Sequence, residues 1–320
     1  MALLDTRKRV VAISYGDAIS GTPADDAIHN TSTGARANPT TATGSFKCLN
    51  GGLGAKTTWR NTDDVTAEVA IECYVEGNDT TGLALETLPD WSEVYEVCGM
   101  LETVDTSTSG EETVTYSPMP TQPSGDSQAA VWADGYKRVV TGIVGNYEMR
   151  GTVGEPIQQT ATIMGFTSIQ STAQANPAGG CVDPEGLIVL KSTDTFTIDG
   201  DPYKIRSFAF NSGNQIEKYY AINKKSYERN DFDATLEVTF LKEEEGIYAT
   251  FEAGSKVPVN LVAGGADGKA VRVYAAQAEI SNISEGEYQN KETITLTFSL
   301  QPSSGTAYDN YAIIFGFLGL

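Results

Sequence analysis

Val65-Thr-Ala-Glu-Val-Ala-Ile-Glu-Cys-Tyr74 is the stretch on which the fold turns. Val65, Ala67, Val69, Ile71 and Cys73 take every second place, with Thr66, Glu68 and Glu72 between them. A strand sends successive side chains to opposite faces, so this alternation makes one apolar and one polar face, whereas a helix would mix them. The apolar face belongs in a core and the polar face in water or at an interface. Similar runs, cut by Gly, Pro, Asn, Asp, Ser and Thr, recur at 128–133, 137–149, 158–166, 203–211, 234–241, 256–262, 270–275, 278–283 and 292–300. Repeated short strands between turn formers make a sandwich or barrel, so the chain is read as mainly β.

Two helical patterns interrupt the strands. In Leu88-Pro-Asp-Trp-Ser-Glu-Val-Tyr-Glu-Val-Cys-Gly99, the apolar residues Trp91, Val94, Tyr95 and Cys98 recur at helical spacing. Pro89 suits a first turn and Gly99 a stop, and the single stripe is expected to pack onto a sheet. In Glu243-Glu-Glu-Gly-Ile-Tyr-Ala-Thr-Phe-Glu-Ala-Gly254, Ile247, Tyr248 and Phe251 share a face, although Gly246 weakens the helix. The three glutamates there read as a solvated first turn at the positive end of the dipole, not as a metal site.

The two halves repeat the same order of parts. Asp64–Tyr74 reads like Asp231–Leu241, each leads into a helix and a series of strands, and Thr160–Phe166 matches Thr293–Ser299 as a closing strand. This predicts two tandem β-sandwich or barrel-like modules, each with one short helix, over 1–175 and 203–320. The turn-rich Gln174–Gly186 places a linker within 176–202. Gly16–Gly44 and Thr103–Ser127 are polar enough to read as extended loops, either disordered in the free subunit or in contact with another subunit.

Composition narrows the function. Asp and Glu outnumber Lys and Arg by 42 to 22, a net charge of -20, which argues against a surface built to bind nucleic-acid phosphates or anionic lipid. A wall past which DNA slides has the opposite requirement, and a negative one fits. Cys48, Cys73, Cys98 and Cys181 are scattered and His29 is the sole histidine, so neither a zinc site nor a redox motif is expected, and the thiols read as free. His29, in the turn-rich Asp25-Asp-Ala-Ile-His-Asn30, has no partners for a nucleophilic triad.

Gly51-Gly-Leu-Gly-Ala-Lys-Thr57 lacks phosphate-loop spacing and reads as a turn. The adjacent acids Asp25/Asp26, Asp63/Asp64 and Glu111/Glu112 carry no signal for a glycosidase pair, and Asp199-Gly-Asp201 reads as a β-turn. No catalytic, cofactor-binding or metal residue is therefore assigned. The N-terminus lacks a signal-peptide pattern and no run is long enough to span a bilayer, so synthesis in the cytoplasm without membrane association is expected. The closing apolar run Tyr311–Leu320 is either a terminal strand or an arm that packs on a neighbouring subunit.

Over residues 5–170 the order of motifs resembles the tail tube proteins of long non-contractile-tailed, siphovirus-like bacteriophages. The features are the basic and apolar opening Arg7-Lys-Arg-Val-Val-Ala-Ile-Ser-Tyr-Gly16 and the short helix ending in Cys98-Gly99. Tyr116-Ser-Pro118, the hairpin Val131-Trp-Ala-Asp-Gly-Tyr-Lys137, Val140-Thr-Gly-Ile-Val-Gly145 and the Gly154-Glu-Pro156 turn follow in order. The resemblance implies a β-sandwich subunit that joins its neighbours into rings around a channel, stacked into a tube that conducts DNA without binding it specifically.

The resemblance also implies a virion component whose partners are its own copies, a tail terminator, baseplate or tail-tip proteins, and a tape-measure protein in the lumen. A duplicated chain would build a six-module ring from three copies; the alternative is a hexamer decorated by its second module. Candidate lumen-facing residues are Thr66, Glu68, Glu72, Thr235, Glu237 and Thr239. Candidates for contacts between subunits or rings are Tyr15, Gly16, His29, Arg36, Tyr311 and Phe315. The competing reading is a virion decoration, baseplate or adhesin β protein that binds a host-surface polymer.

Overall fold

The computed structural model describes residues 9–17, 19, 27–29, 36–47, 56–76, 91–107, 113–133, 135–174, 187–241, 248, 251–264, 270–304 and 308–316. The first half forms β1 (Arg9–Ser14), β2 (Ala27–His29), β3 (Asn38–Lys47), β4 (Lys56–Tyr74), the helix α1 (Ser92–Val97), β5 (Met100–Asp105), β6 (Thr113–Pro118), β7 (Gln128–Ala133), β8 (Tyr136–Thr152), β9 (Gln158–Thr167) and β10 (Thr172–Ala173). The second forms β11 (Thr195–Ile198), β12 (Asp201–Pro202), β13 (Ile205–Asn211), β14 (Asn214–Ala221), β15 (Lys224–Phe232), β16 (Thr235–Leu241), β17 (Lys256–Gly264), β18 (Ala270–Tyr288), β19 (Lys291–Gln301) and β20 (Ala312–Gly316).

Strand order shows the repeat. The first half pairs β2–β1–β7–β8–β9–β4–β3 and the second pairs β12–β11–β17–β18–β19–β16–β13, all antiparallel. Each central strand, β8 or β18, carries a bulge opposite its neighbour, between Thr141 and Val144 or between Ile280 and Asn282. A bulge bends the strand and lets its two ends serve two layers of a sandwich.

Register fixes how the halves correspond. Thr66 pairs with Phe166, and Thr235 pairs with Ser299. Keeping Thr160–Phe166 matched to Thr293–Ser299 therefore sets Thr66 on Thr235 and Asp64 on Asp233, two residues along from the match read in the sequence. That shift also aligns Asp64-Val-Thr-Ala-Glu-Val69 with Asp233-Ala-Thr-Leu-Glu-Val238, with identities at Asp, Thr, Glu and Val. A two-residue slip keeps every side chain on its own face, so alternation alone could not detect it.

The halves join at two places. β13 pairs with the end of β8 from Ser207↔Thr152 to Asn211↔Glu148, and β20 bridges β18 to β6. β3–β4–β9–β8–β13–β16–β19–β18 is thus one uninterrupted antiparallel run of eight strands. A single apolar core lies under it, from Val69 and Ile71 through Tyr147, Phe208 and Phe210 to Leu236, Val238, Leu296 and Phe298. Tyr95 of α1 stacks on Phe315 at 5.7 Å between ring centroids, and Phe210 meets Tyr311 edge-on at 4.9 Å, so aromatic packing crosses between the halves.

Several expectations change. The stretch 16–44 holds β2 and the start of β3, and 103–127 holds β6 and the end of β5, where loops were expected. His29, expected in a loop, ends a strand paired with Val11. The segments read as separate strands at 270–275 and 278–283 are one strand, β18, and the hairpin β14–β15 was not foreseen. β11 and β12 lie inside the stretch expected to be linker, where β11 pairs with β17. Of the second helix only Tyr248 and residues 251–254 are described, and 175–186 lies outside the described residues.

Candidate functional site

The eight-strand run has one face on the core and the other open to solvent except around Phe166, where Tyr227 and Lys225 of the hairpin β14–β15 cover it. On β4 the core side is Val65, Ala67, Val69, Ile71 and Cys73, all buried, which leaves Thr66, Glu68 and Glu72 on the other side. Cross-strand partners share a face. Register therefore carries one row from Glu72 through Thr160, Glu148, Asn211 and Thr235 to Ser299. The next row runs Gln158, Arg150, Ala209, Glu237, Thr297 and Asn282, and a third runs Thr152, Ser207, Thr239, Thr295 and Ser284.

All six candidate lumen residues fall on this one face, from both halves of the chain. It is built of hydroxyls, amides and carboxylates. Thr239 and Thr295 share a hydroxyl hydrogen bond at 2.9 Å, and Asn211 Nδ2 donates to Glu148 Oε1 at 2.9 Å. Arg150 pairs with Glu72 at 3.2 Å and donates to Gln158 at 2.8 Å, so it neutralises part of the acid beside it. Glu68 and Glu237, at corresponding positions, both stay exposed.

Side chains lock the seam between β8 and β13. Ser212, fully buried, accepts from the Tyr147 amide at 3.0 Å and donates to Asn146 Oδ1 at 2.9 Å. Asn146 donates to Asn211 Oδ1 at 3.1 Å, and Asn214 Nδ2 donates to the carbonyls of Cys98 and Gly145 at 2.6 and 2.8 Å. Beneath the sheet, Gln159 accepts from the hydroxyls of Tyr95 and Tyr147 at 2.8 and 3.1 Å, which ties α1 to β9 and β8. Burial pushes both tyrosine pKa values upward, so the hydroxyls remain protonated donors.

The hairpin β14–β15 leaves the sheet after Gly213 and lies on the first half. Lys218 holds Asp64 at 2.7 and 2.8 Å, Tyr220 donates to Asp63 at 2.9 Å, and the Lys225 amine sits 4.9 Å from the Phe166 ring centroid. Arg229 is buried and donates to the carbonyls of Gly99 at 2.8 Å, Thr121 at 3.2 Å, and Met119. It thus ties the hairpin to the turn after α1 and to the segment that follows β6.

The candidates for contacts between subunits are dispersed. Tyr311 and Phe315 are 1% and 2% exposed inside this chain, where β20 binds β18 and β6, so neither offers a free arm. The reason is that burial of two large aromatics within one subunit is complete without a neighbour. Tyr15 is half-buried with its hydroxyl on Met119 Sδ at 3.7 Å, and Gly16 takes a left-handed φ of 78°. Arg36 is exposed at the entry to β3. Among the described residues no cluster of His, Cys, Asp and Glu could hold a metal ion, and Cys73 and Cys98 are buried and joined in no disulfide. Cys48 and Cys181 lie outside the described residues.

Sequence reasoning missed Glu148, Asn211, Thr160 and Thr297. Each alternates with buried neighbours as Glu68 does, although Gln159 and Ser212 among them are polar, and only register shows that they extend the same face.

The family model for the phage tail tube protein matches residues 10–302. The chain belongs to the phage tail tube protein family. It is a structural subunit of the tail tube and hence a component of the virion. No curated protein matches it as a relative.

Proposed function

We propose that three copies of this tail tube protein close into a ring and that stacked rings form a tube whose lumen is the polar face of the eight-strand run. The observation that carries the reading is that run itself, polar on one face, apolar on the other, and made of two equivalent four-stranded halves. Three copies give six such halves, in keeping with a long non-contractile tail. The subunit is non-enzymatic and is synthesised in the host cytoplasm.

Strand geometry supports three copies. Strands lie about 4.8 Å apart, so eight close at a backbone diameter of about 12 Å, which side chains fill. Three chains give about 24 strands and a diameter of about 37 Å before tilt widens it, enough for a duplex once side chains are subtracted. Two chains are too narrow after the same subtraction, and six make a bore far wider than a duplex requires. A lumen lined by Glu68, Glu72, Glu148 and Glu237 repels DNA phosphates, and threonine and asparagine hydroxyls and amides keep it wet, so DNA passes without sticking. A tape-measure protein occupies it before ejection. Terminator and tip proteins cap the ends.

Electron microscopy of the purified protein tests this: rings or tubes with a central hole are expected, and persistent monomers at high concentration would overturn it. Native mass spectrometry of one ring should give three chains, and six would overturn the trimer.

A further inference from the structure

The repeat extends past the eight-strand run into two outer arms. Arg60-Asn-Thr-Asp-Asp-Val-Thr-Ala-Glu-Val69 and Arg229-Asn-Asp-Phe-Asp-Ala-Thr-Leu-Glu-Val238 agree without a gap at Arg, Asn, Asp, Thr, Glu and Val. Register agrees as well. Each arginine is the residue at which pairing resumes after a register shift, Thr43↔Arg60 in the outer arm of β3 and β4 and Ile216↔Arg229 in the hairpin β14–β15. Their surroundings differ: Arg229 is 7% exposed within the chain, whereas Arg60 stands in solvent.

Arg229 is seated against the glycine that stops α1. Its guanidinium donates to the Gly99 carbonyl at 2.8 Å, and a Cβ on Gly99 would fall 2.2 Å from Nη1, so only a glycine leaves the seat open. The second half has the same stop. Gly254 takes a φ of 58° where Gly99 takes 77°, and each amide donates to the carbonyl three residues back, Phe251 at 3.0 Å and Glu96 at 2.9 Å. Yet Ala253, Gly254 and Ser255 are exposed, and among the described residues no atom lies within 4 Å of a Cβ built on Gly254. One seat is filled and its counterpart is open.

Resting on the ring reading, we infer that Arg60 of one copy seats against the turn at Gly254 of the next and donates to its carbonyl. Inside the chain the arm of the second half reaches the first half, so around a ring the arm of the first half reaches the second half of a neighbour. A cation is favoured at the C-terminal end of a helix, and an arginine fork suits carbonyls there. Phe251, 40% exposed in the last turn, adds an aromatic surface on which a guanidinium stacks. Met119 and Thr121, the other acceptors of Arg229, follow β6, whereas the second half passes from Gly254 straight into β17. The seat for Arg60 is therefore shallower than the one inside the chain.

The test uses substitutions and a crosslink in the full chain. Arg60→Ala should leave the melting temperature of the free subunit unchanged, because Arg60 is exposed there, and raise the concentration needed for assembly about tenfold or more. Arg60→Lys keeps the charge but loses the fork, so it should recover only part of that loss. Gly254→Asn keeps a residue that tolerates left-handed φ and obstructs the seat, and should impair assembly as Arg60→Ala does. Arg60→Cys with Ser255→Cys should give chain-to-chain ladders ending at the ring with a short bis-maleimide, and neither single variant should. Wild-type rings with unimpaired Arg60→Ala assembly, full rescue by lysine or no ladder overturn this contact but leave the ring reading intact. Wild-type protein that forms no ring overturns both.

Discussion

Gly213 sits where β13 hands over to the hairpin, at φ 65°, and a Cβ there would lie 1.9 Å from the Asp233 carbonyl oxygen. Left-handed strain and a backbone collision act together, so Gly213→Ala should lower stability by roughly 2–4 kcal/mol in a denaturant or thermal melt. Gly135 has a similar φ of 85° with nothing within 4 Å of its Cβ, so Gly135→Ala should cost only about 1 kcal/mol. Equal losses at both sites would show that the collision is relieved.

Glu96 of α1 offers a pH test. Burial first, then the charges of Glu102 and Glu93, raise its pKa from 4.5 to about 7. Below 4.5 the carboxyl is protonated folded or unfolded, and the native environment is fully compatible with it. As pH rises through about 7, the folded protein must ionise it at a cost, so this contribution to stability is lost. Glu96→Gln should match wild type near pH 4 and exceed it at pH 8 by an amount on the order of 1 kcal/mol after solvent screening. A variant no more stable at pH 8 would contradict this.

At the level of strands, the hairpin β14–β15 depends on what it touches more than on its own pairing, since a two-stranded hairpin alone is marginal. Lys218→Ala leaves Asp64 buried without its cation, at about 1–2 kcal/mol given the part-exposed lysine. Amides of residues 216–227 should then exchange about tenfold faster or more, while those of β13 and β16 change little. Uniform acceleration across both would mean that the hairpin is part of the global folding unit. Sequence shows β4, β16, β9 and β19 because their alternation is strict and long. It hides β14–β15, where Lys218, Tyr219, Tyr220, Lys224 and Lys225 are mostly exposed on both faces and leave no period to read. β3 is hidden likewise, with Asn, Pro and Thr on an edge that has no core side of its own. The polar face was visible one strand at a time, but its continuity was not, because register between distant strands is set by packing and turns.

For the assembled tube, the sign of the lumen charge is the property to test, because net charge alone does not say where the acids face. Glu68 and Glu237 are counterparts on the free face, both exposed, and changing both to lysine shifts each chain by four charges without touching the β8–β13 seam. If they face the bore, Glu68→Lys/Glu237→Lys protein should still form tubes, since neither residue lies in the outer arm that carries Arg60 or in the turn at Gly254. Those tubes should hold duplex DNA in cosedimentation near 50 mM salt and release it by a few hundred millimolar, because each phosphate contact adds about one unit to the salt slope. Wild-type tubes should hold none at either salt. Virions carrying the variant should package DNA normally but eject it slowly, as a repulsive wall becomes an adhesive one. If the lysines instead bind DNA on the outer surface, pre-capped tubes will bind as much as open ones, and the polar face must then be assigned to the exterior.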